Sequence, residues 1–118
     1  MVWIFRSGQS PAGRRIGSVS LGRVVYDSYV EQDHEDASGA NSNTWNYVAF
    51  VGREPVLHGP LDLSSFTQYL IERNLLQPDY YVTSVELGNE VCSGAGIVGV
   101  PRFALRFEPD PQSRTPNP

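Results

Sequence analysis

The chain's 118 residues suffice for one small domain but not for two. A formal net charge of -4 and a pI near 5.0 lack the basic footprint that a nucleic-acid partner requires. No apolar run approaches membrane-spanning length, and a lone cysteine, Cys92, can build neither an internal disulfide nor a Cys-based metal site.

In chain order, Val2 to Phe5 reads as a short strand of β-branched and aromatic residues, ended by Ser7-Gly8. The five apolar residues from Met1 to Phe5 meet Arg6 without the basic start or the length of a secretory signal. Residues 7–15 read as loop, punctuated by Gly8, Pro11 and Gly13. Ile16 to Leu21 alternates weakly up to Gly22. Val24 to Val30 predicts a strand with Val24, Tyr26, Ser28 and Val30 on one face. Residues 31–43 are polar and acidic and predict a solvated loop.

Thr44 to Val51 predicts a further strand, with Trp45, Tyr47, Ala49 and Val51 on one side. Residues 61–76 carry the single predicted helix: Asp62 is a candidate N-cap, and Leu63, Phe66, Leu70 and Ile71 form an apolar stripe. Asn74 and Pro78 close it. Period two returns over Tyr80–Glu90 and Val100–Phe107, and the tail from Glu108 is Pro-rich, predicting a linker or a frayed end. Strands with one late helix predict an all-β sandwich or jelly roll.

Two motifs carry little. Gly94-Ala95-Gly96-Ile97-Val98-Gly99 matches a dinucleotide fingerprint, but that site needs a helix to open there, and Pro101 with alternating Phe103, Leu105 and Phe107 predicts a strand. No cofactor is expected. Asp33-His34-Glu35-Asp36 is acidic, yet calcium loops alternate their ligands around a glycine, so a solvated loop is the expectation and no metal site is assigned. Cys92 reads as a small semi-buried hydrophobe.

The period-two stretch before Cys92 carries chemistry. Val82, Ser84, Glu86, Gly88 and Glu90 share one face, and Tyr81, Thr83, Val85 and Leu87 share the more apolar one. Two carboxylates on an open sheet face suggest glycoside hydrolysis, which needs an acid paired with a base or nucleophile; the alternative, which pattern alone favours, is two solvated charges. Four residues at about 3.3 Å each put Glu86 and Glu90 roughly 13 Å apart, beyond the reach of a retaining or an inverting pair. A catalytic partner for either must come from another strand.

The ordered motifs resemble those of family 12 glycoside hydrolases, the cellulase and xyloglucanase jelly rolls. Met1-Val2-Trp3 is similar to the end of the family's Glu-x-Met-hydrophobic-Trp strand, and Arg15-Ile16-Gly17-Ser18 to the loop that follows. Gly22 with Tyr26-Asp27-Ser28-Tyr29 is similar to its next aromatic strand. Leu61-Asp62-Leu63-Ser64-Ser65-Phe66-Thr67-Gln68-Tyr69-Leu70 resembles its helix, and Val85-Glu86-Leu87-Gly88-Asn89-Glu90 its last motif. The resemblance covers residues 1 to about 107, leaving 108–118 as a tail.

What the resemblance implies is a concanavalin-like β-jelly roll sandwich of which this is the C-terminal half, with one short helix. It implies a retaining hydrolase of β-1,4-glucans such as cellulose or xyloglucan, with Glu90 as general acid/base. A general acid must hold its proton near neutral pH, through burial or a neighbouring carboxylate. The family's nucleophile stands two positions before the motif Met, upstream of Met1, so a truncated chain inactive on its own is expected. Trp3, Met1 and Glu86 would line the cleft, Glu86 standing where the family has Gln; a core tryptophan is the alternative for Trp3. Secretion is expected of the family, and unpaired strand edges predict self-association. The rival reading is a non-catalytic β-glucan-binding or structural sandwich module.

Overall fold

A computed structural model describes residues 1–35 and 43–108. Its first compact unit, Met1–Leu87, contains every regular element, and a second unit begins at Gly88. The strands are β1 (Val2–Trp3), β2 (Arg14–Leu21), β3 (Val24–Glu35) and β4 (Thr44–Gly52), followed by helix α1 (Leu63–Glu72). They form one mixed sheet in the order β1-β4-β3-β2.

β2 and β3 form an antiparallel hairpin that turns at Gly22, whose φ of 63° lies in the left-handed region. β4 returns antiparallel to β3, whereas β1 joins β4 in parallel, with Val2 level with Phe50 and Trp3 level with Val51. Met1 extends that ladder: its nitrogen donates to the Val48 carbonyl at 2.7 Å and its carbonyl accepts from Phe50 at 3.0 Å.

Alternation along these strands gives the sheet two unlike faces. Val2, Phe50, Tyr26, Ser28 and Val19 share the face on which the core forms. Tyr26, Phe50, Phe66 and Tyr69 are its buried rings. Phe66 meets Tyr26 and Phe50 edge-on at 4.9 Å each, and Tyr69 meets Phe50 at 5.5 Å, the geometry that aromatic quadrupoles favour.

α1 begins where the sequence places it. Asp62 accepts from the Ser64 backbone N–H at 3.0 Å and from the Ser64 and Ser65 hydroxyls at 2.6 Å, satisfying a donor that the first helical turn leaves open. At the other end Asn74 takes φ 55° and donates to the Ile71 carbonyl at 3.0 Å, a left-handed helix stop. The helix is therefore shorter than residues 61–76. Tyr69, outside the apolar stripe of the sequence pattern, is its second buried ring, and its hydroxyl meets the Ser28 hydroxyl at 2.9 Å inside the core.

Three expectations are corrected. β3 runs on to Glu35, so the acidic stretch starts as strand; residues 36–42 lie outside the described residues. Residues 80–90 and 100–107 are not strands. Alternation marks a strand only if a neighbour supplies backbone partners, and no strand among the described residues pairs with either segment. The apolar face anticipated for Tyr81 and Leu87 is accordingly exposed, Tyr81 by 94%. Cys92 is exposed rather than semi-buried. The Pro-rich tail beyond Glu108 lies outside the described residues.

Tyr69→Phe leaves the fully buried Ser28 hydroxyl without its partner and is expected to cost about 1–3 kcal/mol. Adding Ser28→Ala removes the stranded hydroxyl, so urea denaturation of the double variant should show part of that loss recovered.

Candidate active-site face

The sheet face turned away from α1 carries Trp3, Tyr47, Ala49, Val51, Asp27, Tyr29 and Arg15, by register with one another across the four strands. Ala49 and Val51 are buried and form its floor, flanked by larger neighbours: Val51 lies level with Trp3 and Asp27, and Ala49 level with Tyr29.

Of the residues singled out in the sequence, the fold joins Met1 and Trp3. Two residues apart on one strand, they point the same way, and the indole N–H of Trp3 donates to the Met1 sulfur at 2.7 Å. The Tyr47 hydroxyl approaches the same sulfur at 3.9 Å. Trp3 is half-buried and outside the core cluster, so it is not a core tryptophan. Glu86 belongs to the first unit and Glu90 to the second; both are exposed and outside any strand.

Two features of this face were missed in the sequence. Asp27 accepts from Arg15 at 2.8 Å and from Arg53 at 2.9 Å. Arg53 sits two residues past Val51, which lies opposite Asp27 on β4, and Arg15 lies opposite Tyr29, the residue two along β3 from Asp27, in both cases the diagonal reach of a long side chain. A register is needed to see this, and β2 slips register between Arg15 and Gly17. The Arg53 hydrogen bond holds the Asp27 carboxyl below the usual carboxylate range; partial desolvation opposes it, and Arg15 adds to it.

The second is a ring cluster at the far end of the β3–β4 pair. His34 lies 5.1 Å from Trp45 and 5.0 Å from Tyr47, ring centre to ring centre, and its Nδ1 contacts the Glu31 carboxylate. Glu31 and His34 are three apart and would face opposite ways in a regular strand. A bulge between them, with Asp33 at φ 52°, brings both to one side. The parity of Trp45 and Tyr47 was legible; the bulge that adds His34 was not.

A cavity of about 480 Å³ lies on the other face, lined by Val19, Leu21, Ser64, Gln68, Tyr69 and Glu72. It holds none of the residues the sequence selects. Among the described residues no group of three His, Cys, Asp or Glu side chains could hold a metal ion, and no helix is long and apolar enough to cross a membrane.

Comparison with known proteins decides the family. The model of glycosyl hydrolase family 12 matches residues 1–108. The chain belongs to that family. It is 28% identical over 106 residues to endoglucanase S of Pectobacterium parmentieri, covering 89% of this chain and 39% of the relative. It is 30% identical over 99 residues to a xyloglucan-specific endo-beta-1,4-glucanase A of Emericella nidulans, covering 80% and 38%. The chain thus spans less than half the length of either. The native family 12 xyloglucanase of Bacillus licheniformis superposes with a TM-score of 0.55 at 26% identity, over 64% of this chain and 32% of that one. The fold is therefore that of the jelly-roll glycoside hydrolases.

Asp27 gives this face a pH signature. A carboxyl whose folded pKa is depressed contributes its full stability above the ordinary aspartate value, about 3.9, and loses it as pH falls through the folded value. The difference in thermal midpoint between the wild type and Asp27→Asn should hold steady at neutral pH and shrink below about pH 4. A difference that does not change with pH contradicts the bridge.

Proposed function

We propose that the protein is part of a retaining endo-hydrolase of β-1,4-glucans of the cellulose or xyloglucan type, with Glu90 as general acid/base. Residues 1–107 are its portion of the catalytic domain and 108–118 a Pro-rich tail or linker. The observation that carries the reading is that Met1 and Trp3 lie together on the face opposite α1. In the family's Glu-x-Met-hydrophobic-Trp motif the nucleophile stands two residues before the Met. Strand alternation would send that carboxylate to the same face as Met1 and Trp3, and a β1–β4 ladder continued in the same register would set it level with Tyr47, two residues before Ala49.

In the retaining mechanism the nucleophile attacks the anomeric carbon as Glu90 protonates the departing glycosidic oxygen. Glu90 then takes a proton from water as that water attacks the glycosyl-enzyme. The two carboxyls must stand about 5–5.5 Å apart. The Trp3 indole, held by Met1, offers an aromatic face to a sugar ring, and Glu86 adds a second carboxylate near the acid in sequence. The nucleophile of the motif is not among these 118 residues, so they do not complete a turnover by themselves. A polymeric glucan is met outside the cell, which favours secretion, and the exposed backbone edges of β1 and β2 favour self-association.

In a polypeptide that supplies the remaining family 12 strands and a Glu two positions before Met1, Glu90→Gln should lower xyloglucan or soluble-cellulose hydrolysis by about 10²-fold or more. Oligosaccharide binding should survive the change. Unchanged turnover would remove Glu90 from the chemistry. Reducing ends released by the 118-residue chain alone would contradict the nucleophile assignment.

A further inference from the structure

We propose that Trp45, His34 and Glu31 form an additional sugar-binding subsite for the same glucan chain that crosses Trp3. This rests on the β-glucan reading above and extends it along β4.

The stripe is continuous. From Trp3, level with Val51, it passes through the Met1 sulfur to the Tyr47 hydroxyl, then through the Tyr47 and His34 rings to the indole of Trp45. Val51 to Trp45 is six residues of β4, roughly 20 Å at about 3.3 Å per residue, enough for several linked sugar rings. An aromatic face suits such a ligand, because sugars present patches of C–H between hydroxyl groups that need polar partners. Trp45 is 46% exposed, a large apolar surface left open at the end of the stripe.

The polar partner is present as well. Glu31 keeps 41% of its side chain exposed while contacting His34 Nδ1, which fixes the imidazole against Trp45. The bulge at Asp33 is the device that assembles this group. Without it His34 would turn to the α1 side, and neither the ring contacts nor the Glu31 contact would form. A merely structural hairpin pair would need only one cross-strand ring contact. Here a non-glycine residue at positive φ lets one imidazole meet a carboxylate and two rings.

Trp3 and Trp45 are the two tryptophans of the sequence, so each can be read alone. In Trp3→Phe the emission reports Trp45, and in Trp45→Phe it reports Trp3. Both are titrated with cellohexaose, on protein whose near-ultraviolet circular dichroism matches the wild type. The proposal expects saturable changes in both variants, and about five- to tenfold weaker cellohexaose binding in Trp45→Ala. A response at Trp3 with none at Trp45 overturns the subsite and leaves the β-glucan reading standing. No response at either overturns both. Trp45 emission that follows protein concentration instead of cellohexaose means a second copy of the chain covers the indole, and overturns the proposal too.

Discussion

The arrangement depends on the packing of two rings from α1, Phe66 and Tyr69, onto Tyr26 and Phe50 of the sheet. Burying each large side chain contributes about 1.5–3 kcal/mol, and each edge-on pair adds about 0.5–1.5 kcal/mol. Strand alternation turns that packing into a division of labour. Once Tyr26, Ser28 and Phe50 are committed to the helix, Asp27, Tyr29, Ala49 and Val51 must face the other way. A one-residue slip in β3 or β4 would exchange the two sets. The Ser28–Tyr69 hydroxyl contact works against such a slip, because it satisfies a fully buried polar group in one register only.

The face left open then inherits its chemistry from β1. Two residues of regular strand are enough, because the backbone contacts of Met1 with Val48 and Phe50 carry the ladder one step further. Met1, Trp3 and Tyr47 converge on one sulfur atom as a result. The Arg15–Asp27–Arg53 bridge crosses β2, β3 and β4 on the same face and ties its opposite side. Positioning of Met1 and Trp3 therefore comes from the sheet, whereas the proposed acid/base, Glu90, belongs to the second unit.

How much of this was legible follows from what each signal depends on. The Asp62 cap, the Phe66 and Leu70 stripe and the parity of β3 and β4 are local, and local pattern suffices to read them. Tyr69 escaped because its burial depends on the Ser28 hydroxyl 41 residues away. The Asp27 bridge and the placement of His34 depend on one-residue register shifts that alternation alone does not reveal. Residues 80–90 and 100–107 alternate as strands do, yet a strand is a property of two partners, and none pairs with them among the described residues. The family was legible in the order of its motifs. The pairing that would turn the Glu90 segment into a strand is not contained in that order.

The central claim is that sugar binds the sheet face opposite α1. Chemical-shift mapping during a cellohexaose titration tests it most directly. The account predicts the largest changes at the Met1 methyl group, the Trp3 indole and the Tyr47 ring, with Phe66, Leu70 and the helix backbone unmoved. Changes centred on Val19, Leu21 and Gln68, in the cavity beside α1, would contradict it.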